Sequence, residues 1–304
     1  MILAPIVLFV YNRPHHTQKV IDALAANELA PFSEIYIFSD GPKQNPIDVE
    51  AVKQVRLYIQ SINFFQKIHI TERAENIGLS ENIITGIDSI FEQYDQAIIL
   101  EDDTLPSPEF LKYMNEALEI YQNESEVGSV QGFQFPVKFD KNISSYFDYS
   151  VGCWGWGTWK NKWILFEPNG AELLAQIEQK ELTTKFNLNN TYPFIELLKN
   201  QIEGKSNSWA IRWYASLFLN EKLNYYPCNS FIKNIGNDGS GTHIDKTNYS
   251  VLAFQKKATA EKIPVKQNEQ AFEVVLKYRR KLRQANQKKN LFRKIRINVL
   301  GLSK

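Results

Sequence analysis

Glu101, Asp102 and Asp103 are three consecutive acids that directly follow the apolar run Ala97-Ile98-Ile99-Leu100 and precede a loop containing Pro106 and Pro108. Such a run reads as a strand carrying three carboxylates to its open end. Burying adjacent carboxylates without counter-charge is costly, so the cluster implies a hard cation, Mn2+ or Mg2+, and phosphates for that cation to bridge. One carboxylate would bind the cation directly, and another would hold ribose hydroxyls or a metal-bound water. The bland alternative is a solvated acidic turn, because three-residue motifs recur by chance. Placement at a strand end favours the chemical reading.

Other segments carry groups that suit the same ligand. Asn12-Arg13-Pro14 and Ser39-Asp40-Gly41-Pro42 each follow a β-rich run. Asp40 can accept from a pyrimidine N–H and Arg13 can approach phosphate, although turn chemistry alone also accounts for both segments. In Glu75-Asn76-Ile77-Gly78, the glycine permits close backbone approach to a ligand or serves as a plain turn. The strip Cys153-Trp154-Gly155-Trp156-Gly157-Thr158-Trp159 and the pair Trp209 and Trp213 offer flat faces on which sugar C–H groups stack, so Trp154, Trp156 and Trp209 are acceptor-platform candidates. A core role competes equally for them. The loop Gly236 to His243 has the composition of a mobile segment that closes over donor, with Ser240, Thr242 or His243 touching phosphate or metal.

The elements that must position these groups are legible as an alternation of strand runs and helical periodicity. Strands are expected at Ile6 to Tyr11, Ile35 to Ser39, Lys67 to Thr71 and Ala97 to Glu101. Val52, Val55, Ile59 and Ile62 recur at helical spacing, as do Leu79, Ile83, Ile87 and Ile90. Ser107 is expected to cap a further helix with Pro108 at its first position. This order predicts an α/β sandwich with a mostly parallel central sheet flanked by helices. Ligands of open α/β sheets sit at the carboxyl ends of the strands, so three loops should converge on one ligand. Past Phe133 the alternation becomes irregular, with helical stretches near 190 to 203 and 208 to 221.

The chain has 304 residues and a formal net charge of +1, which gives no overall field for nucleic acid. Two cysteines, Cys153 and Cys228, lie outside any zinc spacing, so neither zinc nor a disulfide framework is expected. Met1 to Tyr11 is apolar but lacks a basic flank and contains Pro5, so it reads as a first strand and the protein is expected in the cytoplasm. From Lys277 to Arg296 the chain is rich in Lys and Arg with no acid, and Leu291, Phe292, Ile295 and Val299 share one helical face. An interfacial helix on anionic lipid, peripheral to the inner face of the membrane, and a frayed solvated terminus are both open readings. We expect one domain over 1–262, with a nucleotide half near 1–133 and an acceptor half near 134–262, followed by a basic helical tail over 263–304.

These pieces, in this order, resemble the GT-A nucleotide-sugar glycosyltransferases, and more narrowly the N-acetylglucosaminyltransferase I group and bacterial family-2-like glycosyltransferases. The carrying residues are Leu8 to Arg13, Phe38-Ser39-Asp40, Ile98 to Asp103 with Ser107 to Phe110, the Gly-Trp-Gly strip, Ser208 to Trp213 and Asn237 to His243. The resemblance spans about residues 4 to 245 and implies a GT-A type Rossmann-like sandwich. It implies Asp103 as metal ligand, Asp102 at the ribose, Glu101 in support and Asp40 at uracil, while the residue chemistry itself adds Asn12, Arg13, Asn76 and His243 as donor-side candidates. It further implies transfer from a UDP-hexose or UDP-N-acetylhexosamine to a glycan, with inversion in members of the eukaryotic type; if the basic tail binds membrane, a lipid-linked glycan becomes the acceptor and bacterial surface polysaccharide synthesis the setting. The pattern departs where the family places an Asp beside the Trp-containing helix. Here the neighbours are Asn207, Ser208 and Ala210, and an amide cannot serve as base. Glu203, Asp238 or another acid must take that role, or activity is reduced. A non-catalytic carbohydrate-binding protein of the same fold is the rival reading. A sugar-nucleotide pyrophosphorylase ranks lower, since no glycine-rich loop follows the first strand.

Overall fold

The computed structural model describes residues 2–236, 238 and 259–300, with 286–300 as helix backbone. Its elements, in chain order, are β1 (Ile6–Val10), α1 (Pro14–Ala25), β2 (Glu34–Ser39), α2 (Pro46–Ser61), β3 (Lys67–Glu72), α3 (Leu79–Phe91) and β4 (Gln96–Glu101). There follow β5 (Thr104–Pro106), α4 (Phe110–Tyr121), β6 (Val127–Gln131), β7 (Ser145–Asp148), β8 (Trp156–Trp159), α5 (Lys160–Trp163), α6 (Gly170–Gln179) and α7 (Thr183–Phe186). The remainder is α8 (Phe194–Ile202), α9 (Trp209–Leu219), β9 (Leu223–Pro227), β10 (Ile232–Asn234) and α10 (Glu269–Leu300).

The main sheet has eight strands in the order β3-β2-β1-β4-β8-β6-β9-β7. β3, β2, β1 and β4 run parallel to one another, as do β6 and β9, while β8 lies antiparallel between β4 and β6 and β7 closes the edge antiparallel to β9. Every residue of β1 is buried, as a central parallel strand covered on both faces requires. Strand alternation sends Ile6, Leu8 and Val10 into one layer with α1, α2 and α4, and Val7 and Phe9 into the other with α3 and α9. The expected α/β sandwich is thus present, with its parallel half carrying the acids.

Besides one-residue shifts at the ends of β2, β3 and β4, three boundaries differ from the sequence reading. β1 stops at Val10 because Tyr11 turns out to Asp48. α4 begins at Phe110, and the cap expected from Ser107 comes instead from a distant side chain: Asn27 Oδ1 accepts from the Leu111 N–H at 2.9 Å. Sequence periodicity cannot announce a cap supplied from 84 residues away. The boundary at 262/263 is not a structural break either. Ile263 N–H donates to Tyr121 Oη at 3.0 Å, Asn268 N–H to the Phe147 carbonyl at 3.1 Å, and Ala271 and Val275 of α10 pack with Tyr146, Tyr226 and Cys228. The segment before α10 and the start of that helix therefore cover the β7 edge of the sheet, where unpaired backbone groups need a partner.

β8 is an interior strand, and this decides the fate of its tryptophans. Trp156 is fully buried, stacked on Trp209 at 5.6 Å and tilted against Trp213 at 5.8 Å. Replacing Trp156 by Ala should lower the unfolding free energy by about 3–5 kcal/mol in urea denaturation. A loss below about 1 kcal/mol would show that the ring is not a core residue.

Candidate active site

The turn between β4 and β5 is built by Thr104, whose hydroxyl donates to the Glu101 carbonyl (2.7 Å) and accepts from the Glu101 N–H (3.0 Å). Asp102 and Asp103 occupy the turn so closed. β10 pairs antiparallel with β5, placing Asn234 opposite Thr104, and the Ile235 N–H then donates to the Asp103 carbonyl at 2.9 Å. At Gly236 a Cβ would stand 2.3 Å from Asp103 Oδ2, so a larger residue there would push the carboxylate from its present position. His16, in the first turn of α1, holds the same segment: its Nε2 lies 3.3 Å from the Ile235 carbonyl and 3.2 Å from Asp238 Oδ2.

Arg13 answers the acids. It leaves the end of β1, which lies beside β4 with Phe9 opposite Glu101, and its Nη2 contacts Asp102 Oδ1 and reaches Asp103 Oδ2 at 3.0 Å. Burial works against the guanidinium, but the charges of Asp102 and Asp103 outweigh it and its pKa is raised. Asp102 is 3% exposed, and burial pushes its carboxyl up to about 6 although Arg13 pulls it down. Burial, followed by the charges of Asp103 and Asp102, raises the Glu101 carboxyl as well. One arginine does not discharge three acids, and Asp102 Oδ2 is buried with no hydrogen-bond partner.

Asp40 does something other than expected. Its Oδ1 accepts from the Gly41 N–H (2.8 Å) and Ile77 N–H (3.0 Å), and its Oδ2 from Asn76 Nδ2 (3.0 Å) and the Gly78 N–H (3.0 Å). Four donors fill the four lone-pair directions of a carboxylate. The residue read as a uracil acceptor is therefore a staple for the loop before α3, and Asn76, read as a donor contact, is part of that staple. Gly41 is needed there because a Cβ would lie 2.3 Å from the Glu75 carbonyl carbon.

Asn12 also turns away from the acids. Its Nδ2 donates to Asp48 Oδ1 at 2.6 Å, while Tyr11 Oη and the Lys43 N–H donate to Asp48 Oδ2. Burial raises the Tyr11 pKa and the bond to Asp48 raises it further, whereas those donors outweigh burial and keep the Asp48 pKa low. Asp48 was not singled out in the sequence. Its place in the first turn after the Asn45 cap and Pro46 was a visible helix-start signal, but nothing local connects it to Tyr11.

The remaining candidates divide. Trp156 and Trp209, at 0% and 4% exposure, are core residues and cannot stack a sugar. Trp154 is half-buried and packs edge-on against Phe133 at 4.7 Å. Glu203 ends α8, exposed and paired with Lys205 at 2.5 Å, away from the acidic turn's contacts. Asp238 stands half exposed beside His16. His243 lies outside the described residues, as do Ser240 and Thr242. Arg56, missed in the sequence, ties two strand ends by donating to the Asp40 carbonyl (3.3 Å) and the Arg73 carbonyl (2.7 Å).

Among the described residues no three His, Cys, Asp or Glu side chains are arranged to hold a metal by themselves. The donor chemistry of Asp102 and Asp103 nevertheless fits Mg2+ or Mn2+, because such ions are commonly held by one or two carboxylates with substrate phosphates completing the shell. Asp102 Oδ2 is buried and left by the protein without a hydrogen-bond partner, an orphaned acceptor beside those carboxylates.

Two predictions follow from this geometry. Asp40→Ala leaves buried N–H groups without an acceptor, so nucleotide-free protein should lose on the order of 3 kcal/mol in chemical denaturation; an unchanged midpoint would mean that Asp40 does not hold the loop. Asp102 binds its proton more tightly folded, near pH 6, than an unfolded aspartate does, near pH ~4. Unfolding releases that proton in this window, so the contribution of Asp102 to stability is largest below about pH 4 and falls as pH rises towards 6. Melting temperatures across the window in chelator should show a less negative pH slope for Asp102→Asn than for the parent, and equal slopes would remove the assignment.

No curated protein matches the sequence. Among solved structures, the Pyrobaculum calidifontis mannosyltransferase PcManGT in complex with GDP-Man and Mn2+ aligns with TM-score 0.36 and 12% identity over 52% of this chain and 45% of its own. S. aureus TarS 1-349 aligns with TM-score 0.34 and 11% identity over 58% and 49%, and its complex with UDP with TM-score 0.33 and 12% identity over 47% and 40%. The chain thus spans less than half the length of these structures. The model of glycosyl transferase family 2 matches residues 6–174, which runs from β1 through the acidic turn and β8 into α6. That match covers more than half of the sequence, and with a mostly parallel sheet that delivers its acids at the end of β4 the chain belongs to glycosyl transferase family 2 and has the GT-A fold.

Proposed function

We propose that this chain is a metal-dependent glycosyltransferase that passes a hexose or N-acetylhexosamine from a UDP-sugar to a glycan hydroxyl in the assembly of bacterial surface polysaccharide. The observation that carries the reading is the acidic turn: in a family 2 chain, three consecutive carboxylates stand at the C-terminal end of β4, with a buried Asp102 oxygen lacking a partner. Asp103 is the residue we assign to the cation, Asp102 to the ribose or a bound water, and Glu101 to support of the site. A divalent cation held there supplies charge for the departing diphosphate. Mn2+ accompanies GDP-Man in the PcManGT structure, and UDP is bound in a TarS structure.

The chain's own residues shape the rest of the site. The turn locked by Thr104 and the close pass at Gly236 hold the acids in fixed positions, which is what stabilisation of developing charge requires. Of the two base candidates, Asp238 is the better placed, beside His16 and next to the segment that clasps Asp103, whereas Glu203 is committed to Lys205 on the surface. With Asp238 as base, direct displacement inverts the anomeric centre. Burial of Trp156 and Trp209 withdraws two of the three rings that motivated the binding-protein reading, whose other ground is the missing Asp beside Trp209.

A lipid-linked acceptor and peripheral membrane contact through the basic run from Lys277 are part of the same proposal. No helix among the described residues is long and apolar enough to cross a membrane. The side chains of Leu291, Phe292, Ile295 and Val299 lie outside the described residues, so this part stands on the sequence pattern.

Melting temperatures with UDP, GDP, CDP and dTDP, in Mn2+ and again in chelator, test the donor. A selective rise with UDP that needs Mn2+ is expected, worth about 2.7 kcal/mol at a hundredfold excess over Kd. Asp103→Ala should remove that rise and reduce turnover of the UDP-sugar on the order of 10³-fold. Unchanged turnover in the variant would sink the assignment.

A further inference from the structure

Asp103 is assigned to the divalent cation, yet it is already engaged. Its Oδ2 lies 3.0 Å from Arg13 Nη2 and is bounded on another side by the Gly236 backbone. The same arginine nitrogen contacts Asp102 Oδ1. A single nitrogen is shared between two carboxylates, and among the described residues no carboxylate engages two nitrogens of this guanidinium. The planar fork by which arginine grips a carboxylate or phosphate is therefore unused. Two cations at contact distance from one another repel, so a divalent ion at Asp103 Oδ2 competes with Arg13 in its present place.

Where the guanidinium comes from matters equally. Arg13 precedes α1 with non-helical backbone (φ −119°, ψ 75°), directly after β1, and its side chain retains 18% exposure at the open end of the sheet. Buried residues hold β1 and α1 in place, so any movement of the guanidinium falls to its side-chain torsions.

We propose that Arg13 is the built-in counter-cation of the acidic turn, which it partly neutralises in the nucleotide-free chain and yields to the divalent ion when its guanidinium transfers to the donor diphosphate. The proposal rests on the donor-site reading above. Arg13 is then a positioning residue that couples two ligands. Without diphosphate the metal must displace the arginine from its carboxylates, and with diphosphate the arginine has a two-nitrogen partner and Asp103 is released. By linkage, UDP raises Mn2+ affinity by the same factor by which Mn2+ raises UDP affinity.

The test measures Mn2+ binding to nucleotide-free protein by electron paramagnetic resonance of the free ion, and UDP binding at saturating Mn2+ by calorimetry, for the parent, Arg13→Gln and Arg13→Lys. Arg13→Gln should bind Mn2+ about tenfold more tightly than the parent without nucleotide, and UDP about tenfold more weakly with Mn2+ present. A purely structural arginine would weaken both. Equal or weaker Mn2+ binding by a cooperatively folded Arg13→Gln overturns the proposal. Should that variant fail to fold, Arg13→Lys decides: its point charge should keep Mn2+ affinity within about threefold of the parent yet weaken UDP, and UDP affinity equal to the parent's overturns the proposal. A parent that binds neither UDP nor Mn2+ removes the donor-site reading itself, whereas a parent that binds both, with the variants unaltered, removes only the role of Arg13.

Discussion

The pairing of Arg13 with Asp102 and Asp103 is the constraint around which the site is arranged. Three adjacent carboxylates at the end of a buried strand repel one another, and desolvation raises the price of each charge. The fold accepts them because β1 lies next to β4 and ends one loop short of the acids, so its first flanking cation arrives within contact distance. Compensation is incomplete, since the Asp102 and Glu101 carboxyls remain displaced upward. That residual deficit is what a cationic ligand would relieve.

Around this pairing the strand ends are stapled to one another by polar side chains. Asp40 secures the loop before α3, Asp48 secures the residues after β1, and Thr104 closes the acidic turn. Each of these groups is buried or half-buried and spends its hydrogen-bonding capacity on the protein. Loops that must present a ligand site in fixed geometry require such internal partners, because backbone N–H groups at the strand ends have no ladder to join. The consequence for function is a division of labour: the acidic turn faces outward chemically, while its neighbours hold position.

The second half of the sheet shows how packing overrides composition. A strip in which glycine alternates with tryptophan looks like a surface for sugars, but β8 runs between β4 and β6 and both its faces are covered. The glycines there let the neighbouring chains approach, and the indoles of Trp156, Trp163, Trp209 and Trp213 fill the space between the sheet and α9. Similarly, the start of the basic tail is part of the body, since apolar residues of α10 complete a core that the sheet edge would otherwise expose.

Local patterns in the sequence determined the strands β1 to β4, the helices α2 and α3 and the delivery of Glu101, Asp102 and Asp103 to a strand end, because hydrophobic periodicity acts over a few residues. They also placed Asn12, Arg13 and Asp40 just past the ends of β1 and β2, the strands that lie parallel with β4. What each of these side chains touches was decided only by the tertiary structure: Asp40 by the loop from 75 to 78, Asn12 by Asp48, α4 by Asn27, and Trp156 by α9. Hydrogen-bond partners and burial depend on contacts between residues tens to more than a hundred positions apart. Sequence spacing can place a carboxylate at the mouth of a sheet, but only the packed chain shows whether its oxygens are already taken.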